Sequence, residues 1–374
     1  GVDIETDLSL QPDNSVAIQA ALDKAGREGG GIVYIPAGHY RMDHGLRIPH
    51  GVELKGAGDI ASVPKGNGAI LEVWGVNEGN ENADAFIMME EGSGLRGVHF
   101  NYPNQKIITD IKKYPYTIRG NKDCYIVNVA ARTSYRMLDL FTNKCDNHYV
   151  DYLSGHAYMN VIRVGGGSEN GIISNIQCNT IAYACGDESK FGCWPNSESC
   201  KDNAVSAKVY GQNYEHLDFF IIGDCREQVL YNNFLFGCHD GMRFQKDNGR
   251  GSVNCHALGN AVDGAVNTVV INGLGSDLDL INSQIVALNH DKEADILDFP
   301  LEAYFFTTSP EMDKTVNLFS SNLWGGGNYM CNVQGGTVNI YLTNMAASGA
   351  KYTFNVADNA RMNVVGGYIQ KVNK

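Results

Sequence analysis

The phrases TVNLFSSN (residues 315–322) and TVNIYLTN (residues 337–344) are nearly the same sentence written twice, and ARMNVVGG (residues 360–367) follows in the same style. Each is an alternating run that closes on a polar or glycine turn, which is how a short strand with one buried face reads. Aligned on Asn322-Leu323, Asn344-Met345 and Gly366-Gly367, the two steps are equal in length. The same unit occurs earlier. CYIVN, NHYVD and GIISN run up to Asn128-Val129, Asp151-Tyr152 and Asn175-Ile176, at steps only slightly longer. A period in the low twenties in an all-β setting fits one turn of a parallel solenoid, in which each coil stacks only on its neighbours and the turn amides satisfy one another from coil to coil. Leucine-rich repeats share the period but need leucines at fixed offsets and a helical stretch per repeat, and neither is visible.

The N-terminal segment differs. Asp13 or Asn14 can cap a helix over 14–26, with Val16, Ala17, Ala20, Ala21, Leu22 and Ala25 at helical spacing and Gly26 to Gly31 stopping it. GIVYIPAGHYRM then reads as strand, turn at Pro36-Ala37-Gly38, and strand. The expected fold is therefore all-β, a right-handed parallel β-helix with an N-terminal capping α-helix. It is expected to be a single domain over 1–374, with a cap region at 1–60. The register fails twice, which places inserted loops near 185–203 and 290–313, and insertions in a solenoid emerge as loops on one face, often the binding face. A third irregular stretch, Gly75 to Ala85, reads as a solvated acidic turn.

Composition bounds the function. Hydrophobic residues are 43% of the 374, enough for a core, and the net charge of −13 without a Lys/Arg cluster argues against nucleic acid as a partner. No apolar run is long enough to span a membrane, and the N-terminus GVDIETDLSL lacks the basic and apolar regions of a signal peptide, so the chain reads as mature or trimmed. Ten cysteines are too dilute for a disulfide scaffold, although Cys193 and Cys200 flank a loop that a disulfide could staple; the alternative is buried thiols. Without a CxxC or a paired His/Cys spacing, no metal site is assigned. Ser/His/Asp triads, GxSxG, Walker and GxGxxG signatures are missing, and Gly165 to Gly167 is a turn.

The densest polar cluster is GCHDGMRFQK at residues 237–246. Met242 and Phe244 are expected to face the interior, with Arg243 and Gln245 outward, His239 on the parity of Arg243, and Asp240 at the turn before the strand. Asp224 and Glu227 lie in the run before it, and Asp263 in an Asp-Gly turn after it. The step from Asp240 to Asp263 matches the repeat and suggests carboxylates on successive coils. Strands about 4.8 Å apart bring such acids near the separation of retaining glycosidase carboxylates on adjacent coils, and near that of inverting ones two coils or a diagonal apart, with one acid to protonate the leaving oxygen and the other to activate water. Asp240, Asp263, Asp224 and Glu227 are thus the candidate catalytic acids. His239, Arg243, Trp194, Tyr231 and Trp324 are the candidate substrate-binding residues, the aromatic ones as platforms for sugar rings. Asp187 and Glu188 are outsiders beside the first inserted loop.

DNSVAIQAALDKAGREGGGIVYIPAGHYRM followed by LRIPHGVELKGAG closely resembles the N-terminal part of pectate-lyase-like right-handed parallel β-helix proteins, and GLRGVHFNYPNQ with KKYPYTIRG is similar to a bacterial branch of that superfamily. The superfamily contains polygalacturonases, phage tailspike depolymerases and related glycosidases. The resemblance implies that the helix caps the solenoid and that substrate lies along an outer groove. Polygalacturonase motifs, including an adjacent Asp-Asp, do not occur here, so those catalytic residues are not carried over. The expected function is a secreted or periplasmic glycoside hydrolase acting on a poly- or oligosaccharide, with no cofactor. A polysaccharide lyase acting on a uronate through Arg243, Lys246 and Arg250, with Ca²⁺ held by carboxylates, is one alternative. A non-catalytic glycan-binding solenoid is another.

Overall fold

A computed structural model describes residues 10–58, 68–105, 110–179, 203–288, 302–348 and 352–372. Trp194, Asp187, Glu188, Cys193 and Cys200 fall outside these, as do most of the two expected inserted loops. The chain forms two compact units, one of residues 1–162 with 176–209 and the other of 163–175 with 210–374.

In the first unit the helix Ser15–Arg27 buries Leu22 while Val16 stays exposed, so the apolar stripe is narrower than its sequence spacing suggests. Asn14 is its cap residue, but the side chain that accepts there is that of Asp13, from the Ser15 amide at 2.9 Å and the Asp43 amide at 3.0 Å. Successive laps then lay down three stacks of parallel strands. Gly31–Ile35 pairs with Val52–Gly56 and that with Gly94–Arg96; Gly38–Met42 pairs with Ala69–Val73 and that with Val98–Asn101; Leu46–Ile48 pairs with Ile87–Met89 and that with Tyr116–Arg119. Every one of these pairings is parallel, as a solenoid requires. The Gly75 to Ala85 stretch is a largely exposed turn, as expected, and is anchored where Glu78 accepts from Tyr114 at 2.8 Å and Glu81 pairs with Arg136 at 2.8 Å.

The second unit repeats the three-sided plan. Thr315–Phe319, Thr337–Tyr341 and Arg361–Val365 stack in one column; Asn322–Gly326, Asn344–Ser348 and Tyr368–Val372 in another; Tyr304–Thr308, Tyr329–Val333 and Tyr352–Val356 in the third. Val316 rests on Val338 and Leu318 on Ile340, all buried, so the repeated phrase fills a continuous core. Its outward residues satisfy each other up the stack: Asn339 donates to Asn317 and Asn363 to Asn339, each at 2.8 Å, and Asn344 donates to Asn322 at 3.2 Å. This is the amide ladder expected from the repeat. The register differs from the sequence alignment at its last step, because Asn344 pairs with Tyr368 and not with Gly366.

The fold is thus the expected all-β parallel β-helix with an N-terminal helix. One further helix, Asn203–His216, was not expected, since its residues show no clear apolar stripe. Its C-terminal part packs by rings and amides instead. Tyr210 stacks with Tyr214 at 5.8 Å and meets the edge of Phe236 at 5.9 Å, and Asn213 donates to the Gly237 carbonyl at 3.3 Å. Cys124, Cys145, Cys178, Cys225, Cys238, Cys255 and Cys331 are free and buried, where they act as small apolar residues.

Candidate active site

The third stack of the second unit carries a corner that decides where the polar residues go. Its rungs are in register as Asp218, Asp240, Asn267, Tyr304, Tyr329 and Tyr352, followed two residues on by Phe220, Met242, Val269, Phe306, Cys331 and Phe354. The residue between them takes no part in the pairing and also points inward: Phe219, Thr268, Phe305 and Met330 are all buried. Two consecutive inward residues break strict alternation, so a strand that would have hidden Asp240 beside Met242 turns it outward. The next outward position, three residues later, holds Arg243. Strict parity separates Asp240 from Arg243; the corner joins them.

Gly241 occupies the corner in the Asp240 coil, and its identity is enforced. A Cβ there would stand 2.4 Å from the Thr268 carbonyl oxygen and 2.7 Å from Val262 Cγ1. Behind Asp218 the same corner is filled by Phe219 and Phe220, whose rings stack at 4.1 Å. The helix that ends at His216 feeds straight into this strand, and the Leu217 carbonyl accepts from the His239 amide at 2.8 Å, which fixes the two coils together beside the cluster.

The cluster consists of Asp218, His239, Asp240, Arg243 and Asn267. Arg243 spans both acids: Nη1 donates to Asp240 Oδ2 at 3.1 Å, and Nη2 donates to Asp218 Oδ2. His239 Nδ1 lies 2.9 Å from Asp240 Oδ1, and Asn267 Nδ2 donates to that oxygen at 2.8 Å. An oxygen of Asp218, an oxygen of Asp240 and a ring nitrogen of His239 all lie within 4.8 Å of one another.

These surroundings drive the two acids apart. Burial pushes the Asp218 carboxyl up to about 6, with the negative charge of Asp240 adding to the rise and the Arg243 guanidinium only partly offsetting it. Burial acts on Asp240 too, but its hydrogen bond and charge pairing with His239, then the Asn267 amide and Arg243, outweigh it and hold the carboxyl below its ordinary value. Burial works against the His239 imidazolium, yet the Asp240 hydrogen bond and the charges of Asp240 and Asp218 raise its pKa overall. One acid is thus kept ready to give a proton while its neighbour stays ionised, which is the pattern of an acid/base pair. Asp218, His239 and Asp240 are also the group among the described residues that could hold a metal ion, but the Arg243 guanidinium already stands between the carboxylates as their cation.

Of the residues singled out in the sequence, His239, Asp240 and Arg243 come together here; the others among the described residues lie elsewhere. Asp263 pairs in register with Phe236, four residues before Asp240, and so is not its neighbour on the next coil; that position belongs to Asn267. The lap from Asp240 to Asn267 exceeds the standard repeat, because the turn from Gln245 to Cys255 is longer than an ordinary one. Asp263 is half-buried, and burial raises its pKa. Asp240 itself sits within the strand Phe234–Phe244, not in a turn before it. Asp224 lies beyond the other end of the strand Asp218–Ile222, where its carboxylate pairs with Arg250 at 2.8 Å and its amide donates to Asp247 at 3.2 Å. Glu227 belongs to a turn where Asn254 donates to it at 2.7 Å and His256 lies 3.3 Å away. Tyr231 and Trp324 are exposed on strands of the other two stacks. The sequence reading missed Asp218 and Asn267. Asp218 heads the run LDFFIIGD, one repeat length before Asp240, so the spacing itself pointed to it.

Residues 10–194 match the family model described as rhamnogalacturonase A/epimerase, pectate lyase-like. Among solved structures, the chain is similar to the A-module of a mannuronan C-5 epimerase from Azotobacter vinelandii, with a TM-score of 0.55 at 16% identity over 96% of each chain. It is likewise similar to a mutant tailspike protein of E. coli bacteriophage HK620, with a TM-score of 0.59 at 11% identity, covering 97% of this chain but 63% of the tailspike chain. The catalytic unit of an α-1,3-glucanase from Streptomyces thermodiastaticus gives 0.56 at 12% identity over 100% of this chain and 68% of that one. No curated protein matches the sequence. The chain thus has the parallel β-helix fold of these structures, and its N-terminal part is similar to the pectate-lyase-like family. The matched stretch of this β-helix protein ends before Asp218, so the site rests on its own geometry.

Proposed function

We propose that the protein is a carbohydrate-active enzyme, a glycoside hydrolase that cleaves a poly- or oligosaccharide outside the cytoplasm with Asp218 and Asp240 as its working pair. The observation that carries this reading is the split between two adjacent carboxyls, one raised to about 6 and one lowered, spanned by a single guanidinium. Asp218 gives its proton to the glycosidic oxygen as that bond breaks, and Asp240 meets the positive charge growing on the anomeric carbon. Carboxylate oxygens within 4.8 Å suit direct attack by Asp240, with a glycosyl ester then released by water that Asp218 deprotonates, and hence retention of configuration. Arg243 and His239 hold the pair in place and balance its charge. The test is a panel of polysaccharides with products read by mass spectrometry and the anomer followed by proton NMR. New reducing ends, lost in Asp218→Asn and Asp240→Asn, are expected.

A second reading follows from the epimerase in the family description and among the similar structures: proton abstraction from a uronate, giving an epimer or an unsaturated product. It would use His239 as base and Arg243 against the uronate carboxyl, with a Ca²⁺ as an optional aid. Both Nη groups of Arg243 are already engaged by carboxylates, and the raised pKa of His239 favours its protonated form, so the hydrolytic reading is preferred. Products absorbing in the ultraviolet, lost on chelation, would reverse that preference.

A further inference from the structure

The rung that carries the two acids continues past them. In register, Asp218, Asp240 and Asn267 are followed by Tyr304, Tyr329 and Tyr352, one per coil. We propose that Tyr304, at the head of this column, is the stacking platform for one sugar ring of an uncharged glycan chain bound beside the two acids. The proposal rests on the hydrolytic reading only for the place where the chain is cut.

Three observations carry it. Tyr304 and Tyr329 lie parallel at 4.9 Å and 8°, which is the strand spacing, so the faces between the two rings are closed and only an end face of the stack is left for a ligand. That end face belongs to Tyr304 and looks toward the coil of Asn267, whose side chain is shorter and is turned to Asp240. Tyr304 is two coils from Asp240, about 10 Å at the strand spacing, so a sugar stacked on it has its neighbour over the carboxylates. The column three residues further on is Arg243, Val270, Thr307, Asn332 and Asn355. Asn355 donates to Asn332 at 2.8 Å and Asn332 to Thr307 at 3.3 Å, a row of amides and a hydroxyl beside the rings.

The charge of this surface selects the ligand. Among the described residues the two columns hold one cation, Arg243, and both acids occupy it. The acid beside Tyr304, Glu302, accepts its hydroxyl at 3.0 Å and would repel a polyuronate. Flat rings bordered by amides and hydroxyls bind the C–H faces and hydroxyls of neutral sugars, whereas carboxylated polymers need unpaired cations.

The test is affinity electrophoresis of the full chain carrying Asp218→Asn, through gels holding dextran, pullulan, galactomannan or xylan, with polygalacturonate and alginate as charged comparators. Because that chain lacks its acid, binding is read independently of whatever reaction the pair performs. Retardation by at least one uncharged polymer is expected, weakened about tenfold by Tyr304→Ala and within about twofold of the parent in Tyr304→Phe, which keeps the ring. Tyr304→Leu, which keeps the bulk without the ring, serves if the alanine variant does not fold, and is expected to weaken binding likewise. Retardation by the polyuronates alone, retardation by none of the polymers, or retardation indifferent to the loss of the ring would overturn the proposal. Loss of turnover in Asp218→Asn with tyrosine-dependent binding retained separates this result from the fate of the hydrolytic reading.

Discussion

The coil of Asp240 and the coil of Tyr329 share a backbone and a register and almost nothing else. At the outward position before the corner, one has a carboxylate and the other a phenol; three residues on, one has Arg243 and the other Asn332. Their inward residues are alike, Met242 and Phe244 against Cys331 and Val333, all buried. The scaffold is therefore indifferent to what stands on its outer rungs, and the difference between the charged coil and the aromatic one lies in two side chains and their neighbours. Charge placed on such a rung is stabilised by the polar groups around it, as Asn267, His239 and Arg243 show for Asp240.

The sharpest way to break the contrast is to remove the charge. Asp218→Asn and Asp240→Asn should each lower kcat by about 10²–10⁴-fold on the true substrate, measured by reducing-end release, with the fold retained by circular dichroism because asparagine already stands on the same rung at Asn267. Next in size is the corner. Gly241→Ala forces a methyl group against the Thr268 carbonyl and should cost about 2 kcal/mol in denaturant unfolding, with activity falling as Asp240 moves.

The pH profile sharpens the comparison further. The proposed hydrolysis requires Asp218 protonated and Asp240 ionised, so the alkaline limb should fall near pH 6 and the acid limb below the ordinary aspartate range, as macroscopic values of the coupled pair. Arg243 lowers Asp218, so Arg243→Gln should move the alkaline limb to higher pH; a limb that stays put would show that Asp218 is not the proton donor. The smallest effect belongs to the structural coils, where Asn339→Ala breaks the ladder from Asn317 to Asn363 and should cost about 1 kcal/mol in thermal or denaturant unfolding, with turnover unchanged.

The fold was legible because its signal repeats: the doubled phrase at 315–344 predicts both the buried Val316–Val338 and Leu318–Ile340 contacts and the amide ladder. The site was half legible. Charge density drew attention to His239, Asp240 and Arg243, which do meet, but sequence separation was a poor ruler for their partners. Asp263 has the spacing of the repeat and misses Asp240, while Asn267 lacks it and lies in register. Alternation also misled, since the two inward residues at the corner cannot be told from a simple parity count. The helix Asn203–His216 escaped because it is held by Tyr210, Tyr214 and Asn213 on one face without an apolar stripe.

That corner has a consequence for how such a chain can change. The laps that separate Asp218, Asp240, Asn267, Tyr304, Tyr329 and Tyr352 differ in length, the longest running from Asn267 to Tyr304, yet every lap returns to the same place in the register. Slack is absorbed between corners and erased at each one, so an insertion as long as that one leaves the working rungs undisturbed. The side chains on the rungs and the lengths of the laps between them can then diverge separately, one by single substitutions and the other by insertion.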